Sequence, residues 1–219
     1  MSKLSEIVYN IKNLSGRGEH TDDQKLGDRQ LEFIVDHFRA EIASQRANNN
    51  KSIDGFYQEL TDLKLVTTKE FKPYNLDVTI LKSKTQLPSL VTSHDVGFII
   101  QFVGLRDEFM GFQQSSVHTY NIDLESPYVQ SVYFIVGGYL YIATKVSTFI
   151  REILVRGIFS NPRDVVELSS DFNILSGLDW DYPIPGNLIG SLNNMILNNE
   201  YKWMHILKPD NINDSKDAE

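Results

Sequence analysis

The sequence predicts an α+β fold, with terminal helices forming a small bundle and a central, mostly antiparallel β-sheet or barrel. Three observations carry this. Apolar residues recur at helical spacing through the first part of the chain and again near its end. Between those regions, β-branched and aromatic residues gather in short runs: LDVTIL from Leu76, VGFIIQFVG from Val96, SVYFIV from Ser131, YLYIAT from Tyr139 and REILVRGIF from Arg151. Strands and helices do not alternate regularly, which argues against a doubly wound parallel sheet. The 219 residues fit one domain, with helical parts at 1–60 and 187–205, a β-rich part at 61–168 and a polar tail at 206–219.

The elements follow in order. Leu4, Ile7, Val8, Ile11 and Leu14 mark one apolar face of a helix over residues 3–14, which Ser15-Gly16-Arg17-Gly18 ends. A longer helix is expected from Asp28 to Ala47. Its buried stripe is Leu31, Ile34, Val35, Phe38 and Ile42, and Arg29, Asp36, Arg39, Glu41, Gln45 and Arg46 are placed on the other faces. Asn48-Asn49-Asn50 stops it. Ser52 and Asp54 suggest the cap of a short helix carrying Phe56, Tyr57 and Leu60, after which Leu63, Leu65 and Val66 lead into extended chain. Leu76, Val78 and Ile80 alternate with Asp77 and Thr79, as on a half-exposed edge strand. Phe98–Val103 and Val132–Val136 are more continuously apolar, which predicts burial on both faces or at a subunit interface.

The best-defined stretch runs from residue 131 to 168. Gly137-Gly138 accepts the positive φ angles of a two-residue hairpin turn. The strand carrying Arg156-Gly157 follows, and then Asn161-Pro162 opens a short helix, with Asn as N-cap and Pro at the first helical position. Residues 169–187 read as irregular. A last helix spans Asn187–Tyr201, and the final segment reads as a polar tail, disordered or docked on a neighbour.

Composition removes several classes of function. With no cysteine, disulfides, thiolate metal sites and cysteine nucleophiles are all excluded. A formal net charge of -8 argues against binding nucleic acid by counterion release, though not against a passive conduit for DNA. The longest apolar run, Val132–Ala143, is too short to span a bilayer and contains two glycines. The N-terminus does not have the pattern of a secretory signal, so synthesis in a cytoplasm is expected.

Few residue patterns in the chain point to chemistry. Glycine patterns for phosphate or dinucleotide binding and the serine-hydrolase elbow are missing. The five histidines, His20, His37, His94, His118 and His205, lie too far apart for a helical metal pair. His94-Asp95 fits general acid–base work, but a turn entering the next strand explains it better. Asp36-His37 point in different directions on a helix. Asp77 with Lys82 and Lys84 suggests a metal-dependent nuclease, against which solvated strand alternation is favoured. Asp179-Trp180-Asp181-Tyr182 reads as a loop anchored by its aromatics rather than a calcium or carbohydrate site. Arg151, Arg156 and Arg163 are assigned to salt bridges and interfaces, given the acidic balance of the chain.

ILVRGIFSNPRDVVEL, from Ile153 to Leu168, resembles a virion structural protein of tailed bacteriophages. The likeness is to the neck ring or head–tail connector proteins of the crAss-like, short-tailed group. Arg29-Gln30-Leu31-Glu32-Phe33-Ile34 leading into Phe38-Arg39-Ala40, and Asp181-Tyr182-Pro183-Ile184-Pro185 before a final helix ending near Lys208-Pro209-Asp210, resemble the same proteins. The resemblance implies a non-enzymatic ring of twelve copies without cofactor. It would sit in the virion neck against the portal and adjacent ring or tail proteins, and double-stranded DNA would pass through it at ejection. A head-to-tail ring needs two different complementary surfaces on each copy. These are expected on the long helix near Arg39 and Arg46 and around the strand carrying Arg151 and Arg156. The competing readings are a soluble enzyme such as a nuclease using Asp77, and an interaction module outside any virion.

Overall fold

The structure, a computed structural model, describes residues 3–15, 27–71, 73, 77–94, 97–105, 111–126, 128–145, 150–168 and 180–201. Among these are five α-helices: α1 (Leu4–Ser15), α2 (Asp28–Asn48), α3 (Tyr120–Glu125), α4 (Pro162–Leu168) and α5 (Ile189–Ile196), the last continuing into a π-helical turn over Leu197–Tyr201. The strands are β1 (Gln58–Thr67), β2 (Thr79–Ser83), β3 (Thr92–Ser93), β4 (Gly97–Phe98), β5 (Ile100–Gly104), β6 (Gln113–Gln114), β7 (Ser131–Val136), β8 (Tyr139–Thr144) and β9 (Glu152–Gly157). Seven of them form one sheet in the order β5-β9-β1-β2-β8-β7-β6, antiparallel at every pair except β6–β7, and β3–β4 stand apart as a small ribbon. A bridge between Gly104 and Gly111, with the Phe112 N–H donating to the Val103 carbonyl at 2.6 Å, brings the β5 edge to the start of β6. The fold is α+β, with a nearly closed, barrel-like sheet.

Strand alternation sorts the side chains into layers. Leu60, Leu63, Leu81, Val103, Tyr133, Leu140, Ile142, Ile153 and Val155 share the barrel interior. Their neighbours one position along, Ile80, Val132, Phe134, Tyr141 and Ala143, turn outward and are covered by Tyr120 and Leu124 of α3. This is why the β7 run reads as continuously apolar: both of its faces have cover. A third cluster joins α1, α2 and α5 to Phe56, Val91, Ile99, Ile158, Trp180, Tyr182 and Ile184, around the chain that enters β1 and leaves β9.

Two backbone features set the register. On β1, Leu60 pairs with Val155 and Leu63 with Ile153, so β1 carries one extra residue, and Asp62 there has φ 58°. This bulge lets two leucines three positions apart both face inward, which a regular strand forbids. At Gly157, an added Cβ would lie 3.2 Å from the Ile99 carbonyl and 3.2 Å from Leu90 Cδ2, so a side chain there fits only if these neighbours give by a few tenths of an ångström.

Several expectations are corrected. The helix expected to carry Phe56, Tyr57 and Leu60 is a single 3-10 turn, Asp54–Phe56, and Leu60 already belongs to β1. β2 is not an edge strand, since it lies between β1 and β8, and Asp77 precedes it. The Phe98–Val103 run is not buried on both faces within the chain. It is split between β4 and β5, with Gln101 exposed, Ile99 in the helical cluster and Val103 in the barrel. The segment 206–219, Leu76, Asp95 and Asp179 lie outside the described residues.

Candidate assembly surfaces and the buried Arg39 clamp

Arg39 is the most consequential departure from the sequence reading. It was expected on a surface, yet it is 0% exposed and is therefore not available as a contact between folded copies. Its position explains this: it lies four residues after Val35 and three before Ile42, on the same stripe of α2. The guanidinium reaches three separate segments. Nε donates to the Pro183 carbonyl, Nη1 to the Phe159 carbonyl and Nη2 to the Phe56 carbonyl, each at 2.8 Å. The rings of Phe56 and Tyr182 lie 5.8 Å from the guanidinium carbon. One planar fork thus ties α2 to the turn before β1, the chain leaving β9 and the 180–185 segment.

The charge is balanced at one remove. Asp36, one turn earlier on α2, accepts a 2.6 Å hydrogen bond from the Tyr182 hydroxyl. Burial raises the Asp36 carboxyl to about 6, against the opposing pull of the Tyr182 bond and of Arg39. Burial likewise lowers the Arg39 pKa, and it holds the Tyr182 phenol well above its ordinary value. His37 takes no part in this group and stacks edge-on against Phe38.

The other expected residues sit nearer solvent. Arg46 donates from Nε to the Ser52 carbonyl at 2.8 Å, closing the α2 C-terminus. Arg151 is exposed. Arg156 pairs with Glu59 across β1–β9 at 3.6 Å and lies over Tyr57. Arg163 bridges from α4 to Glu32 of α2 at 3.2 Å and to Glu167 at 3.8 Å. Gly137 (φ 59°) and Gly138 (φ 80°) form the two-residue turn between β7 and β8. Asn161 Oδ1 accepts from the Arg163 N–H at 3.0 Å, with Pro162 as the first residue of α4.

Lys82, which the nuclease reading would use beside Asp77, is engaged elsewhere. Glu70 accepts from it at 2.7 Å and from the Tyr141 hydroxyl at 2.5 Å, and its ammonium lies 4.3 Å from the centre of the Tyr139 ring. Hydrogen bonding to Lys82 and then to Tyr141 lowers the Glu70 pKa. Among the described residues, no three His, Asp or Glu side chains are grouped to hold a metal ion. His94 is exposed in a turn, where its backbone N–H donates to Asn48 Oδ1 at 2.9 Å.

Exposed aromatic and aliphatic side chains are the other feature. Phe33 on α2 is 74% exposed, Ile122 on α3 63% and Tyr128, just after α3, 93%. Sequence reasoning missed these, together with α3 itself. The available signal was SSVHT before the helix, where Ser116 Oγ accepts from the backbone N–H groups of His118 and Thr119.

The described residues thus present a packed barrel, a clamped helical layer and several large apolar side chains left in solvent. The family model described as "Phage tail ring protein 2", of the crAss ring group, matches residues 6–219, and the chain belongs to that family. It is thus a phage ring protein, a structural component of the virion. No curated protein matches the chain at a significant level. No helix among the described residues is long and apolar enough to cross a membrane.

Proposed function

We propose that the chain forms a twelve-membered ring in the connector between phage head and tail. The ring stacks on the portal or an adjacent ring, contacts tail proteins and lines the DNA path, without catalysis or a cofactor. The observation that carries this reading is the family match, which takes in the helical layer and the barrel together. Electrostatics support it. The net charge is -8, and Lys12, Lys82, Arg156 and Arg163 are each paired with a carboxylate within the chain, while Arg39 is buried. An acidic chain along the DNA path favours sliding over a run of phosphate contacts that would arrest it. Negative-stain microscopy of the purified protein, alone and mixed with portal, tests the placement. Rings that cap the portal are the expected result. Rings that ignore the portal would remove the connector assignment, and monomers in both samples would remove the ring.

A further inference from the structure

We propose that neighbouring copies meet through two specific surfaces: the outward ridge of α2 formed by Arg29, Phe33 and His37, and the outward face of α3 formed by Ile122 and Glu125 together with Tyr128. The proposal rests on the ring reading and names the contact that closes it. On α2, residues 29, 33 and 37 follow one another at four-residue spacing, so they form one row, and all three are exposed. They lie opposite the stripe of Leu31, Val35, Phe38 and Ile42 that packs into the helical cluster. On α3, Ile122 and Glu125 share the side that faces away from the barrel, because Tyr120 and Leu124 face it. Tyr128 follows at 93% exposure.

The two surfaces are complementary. Each presents a large apolar group, Phe33 on one and Tyr128 with Ile122 on the other, which are residue types that anchor interfaces when desolvated. Their charges are opposite. The ridge offers Arg29, with the adjacent Asp28 already neutralised by Lys12 of α1. The α3 face offers Glu125. Asp123, the other acid of α3, is turned inward and accepts from Ser115 Oγ at 2.5 Å.

The surfaces also lie on different flanks of the protomer. α2 belongs to the cluster at the entry to β1 and the exit from β9, whereas α3 covers the outside of β7 and β8. In the sheet order, β1, β2 and β8 stand between β9 and β7. Two different patches on separate flanks make a heterologous contact, the kind a ring needs, and it closes where the rotation per copy divides the full turn. A single shared patch would stop at a dimer.

The chain has no cysteine of its own, which makes the test direct. Full-length Phe33→Cys and Tyr128→Cys variants are treated with a short bis-maleimide, separately, mixed, and combined in one chain. Both sites are exposed, so the fold should tolerate either change. Each single variant alone should stay uncrosslinked, their mixture should give dimers, and the double variant should give a ladder up to the closed ring. Arg29→Glu and Glu125→Arg should each reduce ring yield at least tenfold at low salt, and the two changes together in one chain should restore it. Rings without a Phe33–Tyr128 link would overturn this contact and leave the ring standing. Protein that stays monomeric at every concentration, alone and mixed with portal, would overturn both. Dimers from either single variant alone would show a self-paired contact and refute the head-to-tail arrangement.

Discussion

Replacing Arg39 by methionine isolates the clamp, because methionine keeps much of the aliphatic volume and removes the fork. The change takes away three 2.8 Å hydrogen bonds and leaves the carbonyls of Phe56, Phe159 and Pro183 without that donor in a buried site. An unsatisfied buried polar group costs about 1–3 kcal/mol, so three cost roughly 3–9 kcal/mol gross. Removing a buried cation recovers several kcal/mol of desolvation. The net expectation is a loss of about 3 kcal/mol, and about 2 kcal/mol for Arg39→Lys, whose single ammonium cannot reach three diverging carbonyls at once. For a chain of this size, 3 kcal/mol lowers Tm by about 6–12 °C. Urea unfolding followed by tryptophan fluorescence at fixed protein concentration measures this, with Trp180 packed against Tyr182 beside the clamp. Arg46→Met, at the partly exposed end of α2, is the control and should change stability by no more than about 1 kcal/mol. An Arg39→Met protein within 1 kcal/mol of the parent would falsify the claim that this residue joins the four segments.

Three further outcomes follow from the same structure. Burial lifts the Asp36 carboxyl from 3.8 to about 6, so the folded chain holds its proton more tightly than the unfolded one. This contribution is fully present below about pH 4, fades between about pH 4 and 6, and is gone above, for a total on the order of 3 kcal/mol. Asp36→Asn should therefore lose that pH-dependent component, and parallel unfolding curves for parent and variant from pH 4 to 7 would contradict the assignment. Gly138→Val should cost about 2 kcal/mol in chemical unfolding, because a β-branched residue resists φ 80°, and unchanged stability would remove the strained turn from the account. Gly157→Ala should cost about 1–3 kcal/mol by pressing a methyl group against the Ile99 carbonyl, which accepts the Ile158 N–H; a neutral result would mean that the chain at Ile99 and the Leu90 side chain can move aside.

How legible each part was depended on whether one local pattern sufficed to specify it. The α1 and α2 helices, the β7–β8 hairpin and the start of α4 each rest on a local signal: apolar spacing, a Gly-Gly pair, an Asn-Pro cap. Their outlines in the structure follow those signals. The bulge at Asp62 broke the two-residue period of β1, so Leu60 and Leu63 looked like a transition rather than one strand. Gln113 and Gln114 pair with β7 through their backbone and carry no apolar mark, so β6 was invisible. Arg39 was misplaced because its charge outweighed its position on the buried stripe. Its partners are backbone carbonyls 17, 120 and 144 residues away, which no local reading brings together. The exposed Phe33 and Tyr128 were hidden for the opposite reason. Aromatic residues in sequence read as core, and only packing shows which ones the core leaves out.

A ring protein closes on copies of itself. Native mass spectrometry of the purified, full-length protein measures that directly. A closed ring of twelve copies of the 25.1 kDa chain predicts a dominant species of about 300 kDa. A single 25.1 kDa species at every concentration, with the chain folded and with portal present or absent, would contradict it.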